Sequence, residues 1–289
     1  MKILLLGAHG QLGRSLAPLL ASFGELQALS RAELDLGNLA ALRRVLQTER
    51  PQLVVNAAAY TAVEQAEREP ARAFALNAEA PAVLAEEAAA LGAWLLHYST
   101  DYVFDGRLGR PYRETDACAP LNVYGHSKLS GEQAIAAAGG QHLILRTSWL
   151  YSRHGDNFLL TMQRLLRQRA EVRVVADQFG NPTSCAALAA VSAALVARIA
   201  AGNPGPGGLY HASCSGAASW YDLAQAIAAD LRGHGETCAH LLPIAAAEYP
   251  SAVARPADSR LDCSALARDW AVTLPDWRTA LAACLAGPA

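Results

Sequence analysis

The sequence of 289 residues lacks the composition that marks several large classes of protein. It has no excess of positive charge, with a formal net charge of -2 and a pI near 6.4, so it has no basic footprint for nucleic acid. No stretch reaches the roughly 20 apolar residues of a membrane span. Residues 1–6 run into a glycine loop instead of a cleavage site. We therefore expect a cytoplasmic protein that contacts neither nucleic acid nor membrane.

Cysteine is scarce and scattered. There are six cysteines, with no C-x-x-C pair and no histidine at metal-ligand spacing, which argues against both a zinc site and a disulfide framework. We expect buried, unpaired thiols and no metal ion. The six are Cys118, Cys185, Cys214, Cys238, Cys263 and Cys284.

Lysine is even rarer than cysteine. Of 24 basic residues only Lys2 and Lys128 are lysine, so arginine is the default cation of this chain. A lysine kept against that bias indicates a place where a compact point charge matters. Because Lys2 shows no such role, the bias supports Lys128 as a functional residue only together with its neighbours.

What the sequence does contain is a regular alternation in its first half. Short apolar runs alternate with alanine-rich amphipathic stretches, which is typical of strand–helix units and of a doubly wound parallel sheet in an α/β fold. We predict strands at 2–6, 26–29, 53–57, 94–99 and 142–146, and helices at 11–23, 39–47, 70–91 and 123–138. In the less regular second half we predict helices at 157–169, 185–201, 219–232 and 275–286, and strands at 172–175, 209–212 and 241–245.

Glycines at positions 7, 10 and 13 follow the first strand directly and open the first predicted helix. This context favours a dinucleotide site, because glycine lets the backbone approach a pyrophosphate that lies at the positive helix N-terminus. The spacing G-x-x-G-x-x-G is the variant of short-chain dehydrogenases. The alternative is a tight strand–helix turn with no ligand. We predict a Rossmann domain at 1–148, to which segments within 172–213 return, and a smaller, discontinuous substrate lobe formed mainly by 149–289.

Ser30 and Arg31 occupy the end of the second strand, where NAD-binding proteins usually carry an acidic residue. A hydroxyl and a guanidinium can bind a 2'-phosphate, whereas a carboxylate repels it. We therefore expect NADPH, with NADH as the alternative. Arg31 could also be an ordinary solvated cation. Asp35 and Leu36 lie where many short-chain dehydrogenases place an Asp–aliphatic pair against the adenine.

Tyr124 and Lys128 lie four residues apart at the start of a predicted helix, so their side chains share one face. A nearby ammonium favours the phenolate, and we expect it, together with the positive nicotinamide of the cofactor, to lower the tyrosine pKa toward neutrality. Thr100 follows the strand at 94–99, at the edge where open α/β sheets bind ligands, and is placed to bond a substrate oxygen. It could equally serve the turn alone. We interpret His97 as a core residue.

These features resemble the dTDP-4-dehydrorhamnose reductases, in the extended short-chain dehydrogenase/reductase group, over nearly the whole chain. The resemblance implies reduction of dTDP-4-dehydro-6-deoxy-L-mannose to dTDP-L-rhamnose, a step toward cell-envelope polysaccharide, with NAD(P)H. The matching stretches are 7–13, 55–63, 97–104, 120–132, 146–149, 177–183 and 274–277; of these, 146–149 and 177–183 are typical of the reductases rather than of the wider group.

The resemblance also implies roles for individual residues. Tyr124 would donate the proton, Lys128 would bind the nicotinamide ribose and tune the tyrosine, and Thr100 would polarise the carbonyl. Asp101 and Trp149 would contact the sugar, although Trp149 could also be a core aromatic. The residues that would line the cofactor are Gly7, Gly10, Gln11, Leu12, Gly13, Ser30, Arg31, Asp35, Leu36, Ala57, Ala58, Ala59, Thr61, Tyr124 and Lys128.

Two questions stay open from sequence. Some members of the family dimerise through a magnesium ion held by glutamates; here Ser15 and Ala186 take those positions, so we expect a monomer or a homodimer without a bridging metal. Arg255 and Arg260 could meet the diphosphate of a nucleotide sugar or could be solvated. The alternatives in function are a sugar-nucleotide epimerase or dehydratase, and a catalytically idle NADP-binding regulatory subunit.

Overall fold

The computed structural model describes residues 1–287, in which strands and helices alternate from the first strand onward. The strands are β1 (Lys2–Leu6), β2 (Glu25–Leu29), β3 (Leu53–Asn56), β4 (Trp94–Thr100), β5 (His142–Thr147), β6 (Leu150–Tyr151), β7 (Glu171–Val175), β8 (Phe179–Gly180), β9 (Thr183–Ser184), β10 (Gly208–His211), β11 (Ala218–Ser219) and β12 (His240–Ile244). The α-helices are α1 (Gln11–Leu20), α2 (Leu39–Glu49), α3 (Val63–Ala66), α4 (Pro70–Phe74), α5 (Ala80–Leu91), α6 (Val123–Ala137), α7 (Phe158–Gln168), α8 (Cys185–Ala200), α9 (Trp220–Gly233), α10 (Ser264–Trp270) and α11 (Trp277–Ala286).

The central sheet has six parallel strands in the order β2, β1, β3, β4, β5, β10. The chain reverses its direction of travel across the sheet between β1 and β3, and ligands of doubly wound proteins bind at the carboxyl ends of the strands beside such a point. The predicted doubly wound α/β fold is confirmed.

Both faces of the sheet are covered, which explains why its strands are nearly continuous apolar runs. In β1, Ile3 and Leu5 pack with the core of α1 and α8, whereas Leu4 and Leu6 pack with that of α2 and α5. Burial of one such leucine contributes roughly 1.5–3 kcal/mol to the free energy of unfolding. The first helix and the strands therefore hold the glycine loop between them rigidly.

The second half of the chain contributes to two places. Strand β10 joins the central sheet beside β5, and α8 packs on α1. In contrast, β7 pairs in parallel with β12 in a separate two-stranded sheet that packs with α9. Within the predicted returning segment 172–213, residues 208–211 thus lie in the central sheet and residues 172–175 lie outside it.

One predicted helix is divided in the structure, and two helices, α3 and α10, were not predicted. Residues 70–91 were predicted as one helix, but a π-helical turn, Ala75–Glu79, separates α4 from α5. It places the carbonyl of Asn77 against Gly131 of α6, where an added Cβ would lie only 2.1 Å from the oxygen. Helix α10 was not predicted at all, because its short apolar pattern is buried against β10 by tertiary packing.

Within residues 1–287, no helix is both long and apolar enough to cross a membrane. The same part of the chain holds no group of three or more potential metal ligands among His, Cys, Asp and Glu. The six cysteines are unpaired; Cys185 and Cys214 are buried, and the other four are half-buried.

Candidate active site

A cavity of about 860 Å³ runs along the carboxyl ends of β1 to β5. It has the volume expected of a cofactor or ligand site. Of the cofactor and substrate residues predicted from sequence, all but Gly13 lie on its wall. They are Gly7, Gly10, Gln11, Leu12, Ser30, Arg31, Asp35, Leu36, Ala57, Ala58, Ala59, Thr61, Thr100, Asp101, Tyr124, Lys128 and Trp149.

Gly13 lies behind the glycine loop and not on the cavity wall. A Cβ at this position would lie 2.1 Å from the carbonyl oxygen of Gly7, so only glycine lets α1 pack this closely on the loop. The N-terminus of α1 carries no side-chain cap, which leaves its first N–H groups available to an anion in the cavity.

The side chain of Gln11 is engaged away from the cavity. Its Oε1 accepts hydrogen bonds from Ser152 Oγ (3.2 Å) and Asn157 Nδ2 (2.8 Å), and its Nε2 donates to the carbonyl of Asp156. Gln11 therefore ties the loop at 152–157 to the glycine loop, and only its backbone is free to meet a cofactor.

The donors of Ser30 are not available to a phosphate, contrary to what its place in the sequence suggested. Both its backbone N–H and its hydroxyl donate to the Glu33 carboxylate, at 2.8 and 2.7 Å. These two bonds hold the pKa of Glu33 below its ordinary value, so the carboxylate is charged at neutral pH. Arg31 is exposed at the cavity rim. Its guanidinium is thus the better-placed group for a 2'-phosphate.

The cavity-lining segment 57–61 is held from behind by the buried side chain of Asn77. Asn77 Oδ1 accepts the backbone N–H of Tyr60 at 2.8 Å, and Nδ2 donates to the Tyr60 carbonyl at 3.0 Å. The amide also donates to Ser127 Oγ on α6 at 3.0 Å. This single asparagine fixes the cofactor-lining segment relative to the helix that carries Tyr124.

Thr100 and Tyr124 meet in the cavity. Thr100 ends β4 and is 6% exposed, and its hydroxyl donates to Asp101 Oδ1 at 3.2 Å. Tyr124 lies in the first turn of α6, which Asn122 caps by accepting the N–H of Gly125 at 2.8 Å. Burial raises the pKa of Tyr124, against a smaller lowering by the Thr100 hydroxyl. The phenol is therefore protonated at neutral pH. The predicted lowering of its pKa relied on the cation and the positive nicotinamide together, and Lys128 alone does not produce it.

Lys128 does not offset the effect of burial on the Tyr124 pKa, because its ammonium is directed to other groups. Lys128 is 2% exposed and donates to the Tyr98 carbonyl at 2.7 Å and toward His97 Nε2 at 3.1 Å, beneath the cavity floor. Burial lowers the pKa of Lys128 to about 8, against a raising effect of Glu132. His97 is fully buried, as expected of a core residue, but sequence gave no sign that it contacts the lysine.

Asp101 is buried beside Thr100 and is held by two serines that sequence reasoning missed. Its Oδ2 accepts hydrogen bonds from Ser148 Oγ at 3.1 Å and Ser259 Oγ at 2.5 Å. Burial raises the pKa of Asp101 to about 6, although these bonds oppose the shift. Ser148 adjoins the predicted Trp149, but Ser259 is 158 residues away and no local pattern indicates it.

Trp149 forms the opposite wall and lies in an unusual conformation. Its backbone φ of 48° falls in the left-handed region, which costs roughly 1–3 kcal/mol for a residue other than glycine. Its indole stacks flat on Trp220, with ring centroids 3.5 Å apart and planes at 4°. Gly180 lies against the other side, where a Cβ would come within 2.5 Å of the Trp149 ring. Sequence did not single out Trp220.

A second cavity of about 630 Å³ lies on the far side of this tryptophan stack. Phe158, Trp220 and Tyr249 give it aromatic surface, and Arg255 adds a cation. Arg255 pairs through Nη2 with Glu64 Oε1 at 3.2 Å, but its Nε is buried and has no partner within residues 1–287. Arg260, in contrast, makes two hydrogen bonds to Asp258, at 2.7 and 2.6 Å, and lines neither cavity. The two arginines are therefore not equivalent.

Comparison with known proteins gives a consistent result. The model of the family described as "RmlD substrate binding domain" matches residues 1–288. The dTDP-4-dehydrorhamnose reductase of Burkholderia thailandensis is 44% identical over 99% of this chain and 98% of its own length. The enzyme of the same name from Escherichia coli K12 is 42% identical, with 96% of this chain and 95% of its own covered.

Solved structures show the same relationship. The crystal structure of dTDP-4-dehydrorhamnose reductase from Bacillus anthracis in complex with NADP superposes with a TM-score of 0.90 at 34% sequence identity. The match covers 99% of each chain. The similarity thus extends through the second half of the molecule, which the sequence pattern described least well.

Proposed function

Since the chain belongs to the dTDP-4-dehydrorhamnose reductase family and is an NAD(P)H-dependent oxidoreductase, we propose that it reduces the C4 keto group of dTDP-4-dehydro-6-deoxy-L-mannose. The product is dTDP-L-rhamnose, and NADPH bound in the larger cavity supplies the hydride. The observation that carries this proposal is the convergence of Thr100, Tyr124 and Lys128 with the cofactor-lining loops on one cavity.

The residues present fit a dinucleotide phosphate. The uncapped N-terminus of α1 faces the cavity beside Gly10 and offers N–H donors to the pyrophosphate. Arg31 at the rim offers the cation for a 2'-phosphate, and the Bacillus anthracis relative is in complex with NADP. Glu33 lies beside Ser30 and opposes this preference electrostatically, so we keep NADH as a second, weaker cofactor.

Tyr124 acts as the general acid. A buried phenol with a raised pKa keeps its proton at neutral pH and releases it only when the C4 oxygen gains negative charge. The Thr100 hydroxyl, which donates to Asp101 Oδ1 in this structure, turns its proton to the same oxygen and so helps to place it. The Lys128 ammonium, which is directed to the Tyr98 carbonyl and His97, acts on the phenolate that remains as a positive charge without direct contact, and so favours the ionised form.

The tryptophan stack separates two parts of the substrate site. Asp101 and Trp149 contact the sugar in the larger cavity, and the smaller cavity takes the nucleotide half of the substrate in its aromatic surface. Arg255 meets the diphosphate between them, because it lines the smaller cavity and keeps a buried Nε without a partner among the described residues, whereas Arg260 lines neither cavity. On this interpretation residues 149–289 act mainly as the substrate lobe.

The sequence-based alternatives are less well supported. Epimerases and dehydratases share the Tyr and Lys, but both curated relatives reported above are reductases. An idle regulatory subunit has no need of the trio at Thr100, Tyr124 and Lys128. An epimerase returns the hydride and shows no net NADPH consumption, so consumption of one NADPH per sugar reduced distinguishes the proposals.

Replacing Tyr124 with Phe tests the mechanism. We expect kcat to fall by about 10²–10⁴-fold, the usual contribution of a general acid, while NADPH binds with nearly native affinity. Tyr102→Phe is the matched control. The ring of Tyr102 packs on Tyr124 with centroids 5.7 Å apart, and this substitution also keeps the ring and removes only a hydroxyl. Steady-state NADPH oxidation gives kcat, and fluorescence titration gives the NADPH Kd. Unchanged turnover in Tyr124→Phe would contradict the assignment.

A further inference from the structure

The catalytic lysine rests on a buried histidine. His97 lies in the middle of β4 and is fully buried, with Nε2 3.1 Å from Lys128 Nζ. Its other nitrogen, Nδ1, lies 3.1 Å from the amide of Asn56 at the end of β3. Asn56 is 1% exposed, and its Oδ1 accepts the backbone N–H of Ala58 at 3.2 Å. A continuous chain of contacts thus runs from the lysine to the cofactor-lining segment.

Among the described residues, the acidic group near Lys128 is already paired with another cation. On α6, the carboxylate of Glu132 is 2.6 Å from the Arg146 guanidinium of β5 and also accepts from Ser99. From the other side Lys128 meets the Tyr98 carbonyl and the His97 ring, both on β4. Asp101 and Tyr124 are the remaining titratable groups of the cavity wall here.

The number of protons on the His97 ring and the Lys128 amine determines which tautomer the imidazole can adopt. Burial, and then the charge of Lys128, hold the pKa of His97 well below its ordinary value, so the ring is neutral and carries one proton. An ammonium can only donate, so a charged Lys128 requires an unprotonated Nε2 and a proton on Nδ1. The structure places Nδ2 toward the ring and Oδ1 on the Ala58 N–H, so this arrangement requires the Asn56 amide to turn Oδ1 toward the ring and to give up the hydrogen bond with Ala58. With Nδ2 toward the ring, the proton is on Nε2 and only an uncharged Lys128 amine can accept it.

We propose that His97 is a positioning residue of the reductase: its neutral imidazole accepts a hydrogen bond from the Lys128 ammonium at Nε2 and donates one from Nδ1 to the Asn56 amide oxygen. The proposal rests on the proposed function, because it assigns the lysine charge to the reaction. It names no contact between His97 and the substrate or the cofactor.

The consequence is a pH dependence of turnover. Burial already lowers the pKa of Lys128 to about 8, so the ammonium is lost as pH rises through that region. Removal of the Nε2 acceptor leaves the ammonium with one fewer hydrogen bond, which disfavours the charged form and lowers the pKa further. The alkaline limb of the kcat profile should then move to lower pH.

Two amide variants of His97 distinguish the effect of a hydrogen-bond acceptor at the place of Nε2 from the effect of altered core packing. In His97→Gln the amide reaches the place of Nε2 and can accept from Lys128; in the shorter His97→Asn it reaches only the place of Nδ1, beside Asn56. Because a hydrogen bond from a charged group contributes about 1.5–3 kcal/mol, we expect His97→Asn to lose about tenfold or more in kcat at pH 8. Its alkaline limb should move down by about one pH unit. His97→Gln should stay within about threefold of the native kcat.

The measurements are kcat and KM over the range from pH 6 to pH 9.5, and the thermal unfolding midpoint of each variant. A native pH profile in His97→Asn would overturn the proposal. So would equal damage in both variants when both unfold at the native temperature, because an acceptor at the place of Nε2 would then make no difference.

The tautomer of His97 can also be measured directly in the native protein by NMR, without a sugar substrate. In ¹⁵N-labelled protein at pH 7, we expect the His97 imidazole to be neutral with its proton on Nδ1, and its signal to be assigned by its absence in His97→Gln. A cationic ring, or a proton on Nε2 at pH 7, would contradict the proposal. Failure of the proposed function would be seen instead as unchanged turnover in Tyr124→Phe, with this signal unaffected.

Discussion

The two walls of the larger cavity are built in different ways. The sheet wall places Thr100, Tyr124 and Lys128 at a strand end and in the first turns of one helix. The lobe wall depends on segments far apart in sequence. Trp149 lies on it in a left-handed conformation, and Ser259, which does not line the cavity, bonds Asp101 across 158 residues. The proposed catalytic residues thus lie on local elements, and the proposed substrate contacts depend on long-range packing.

The difference predicts that the walls can be damaged separately. The largest effect on cofactor binding is expected for Gly13→Ala, because the added methyl group meets the Gly7 backbone at 2.1 Å and no side-chain movement can relieve this contact. We expect NADPH affinity to fall by about tenfold or more, together with a lower unfolding temperature. Gly233→Ala, where nothing lies within 4 Å of the new Cβ, is the control. Native NADPH affinity in Gly13→Ala would show that the loop does not depend on this packing.

Asp101 joins the two walls and gives a pH test. Its pKa is raised from 3.8 to about 6, so between these values the unfolded chain loses the proton while the folded protein keeps it. Native stability should therefore fall as pH rises from 4 to 7, by up to about 3 kcal/mol, relative to Asp101→Asn. Urea unfolding of both proteins at the two pH values measures this. A difference between them that does not change with pH would contradict the buried, protonated carboxyl.

A smaller effect is expected on the lobe wall alone. Trp220→Ala removes the ring stacked at 3.5 Å on Trp149, and such a pair contributes about 0.5–1.5 kcal/mol. We expect KM for the sugar nucleotide to rise by about threefold to tenfold, with little change in KM for NADPH. Loss of the coupled indole band in far-ultraviolet circular dichroism would show that the stack is gone. Trp94→Phe is the control, since its edge-on partner Trp270 lies outside both cavities. An equal rise in both KM values would mean that the walls are not independent.

The smallest effect is expected at the exposed rim of the sheet wall. Arg31→Ala should raise KM for NADPH by about fivefold or less, because a solvent-exposed cation is partly screened. KM for NADH should not change, since NADH has no 2'-phosphate. Arg44, exposed on α2 and outside both cavities, supplies the matched control. Equal effects on both cofactors would remove Arg31 from the 2'-phosphate site.

Sequence reasoning reached the sheet wall because its rules are local there. The glycine spacing, the strand ends and the four-residue step from Tyr124 to Lys128 all act within a few residues. It did not recognise that both donors of Ser30 bind the Glu33 carboxylate, although Glu33 lies only three residues later in the sequence. It also missed the contact between Lys128 and His97, because the sequence of neither β4 nor α6 indicates that the two elements pack together.

The lobe wall was beyond local rules for a physical reason. Trp220 begins α9 beside an ordinary Ser219 cap, and nothing there indicates that its ring meets Trp149. Ser259 lies in an irregular segment with no periodic pattern. The family resemblance named Trp149 correctly as part of the cavity wall, but the residues that hold it in place emerge only when the chain is folded.

The most direct test of the central claim is NADPH oxidation by the native protein on dTDP-4-dehydro-6-deoxy-L-mannose, with the product identified by NMR. We expect one NADPH consumed per sugar, and dTDP-L-rhamnose carrying the transferred hydrogen at C4 when deuterated NADPH is supplied. No NADPH consumption, or a product epimerised without net reduction, would contradict the proposed function.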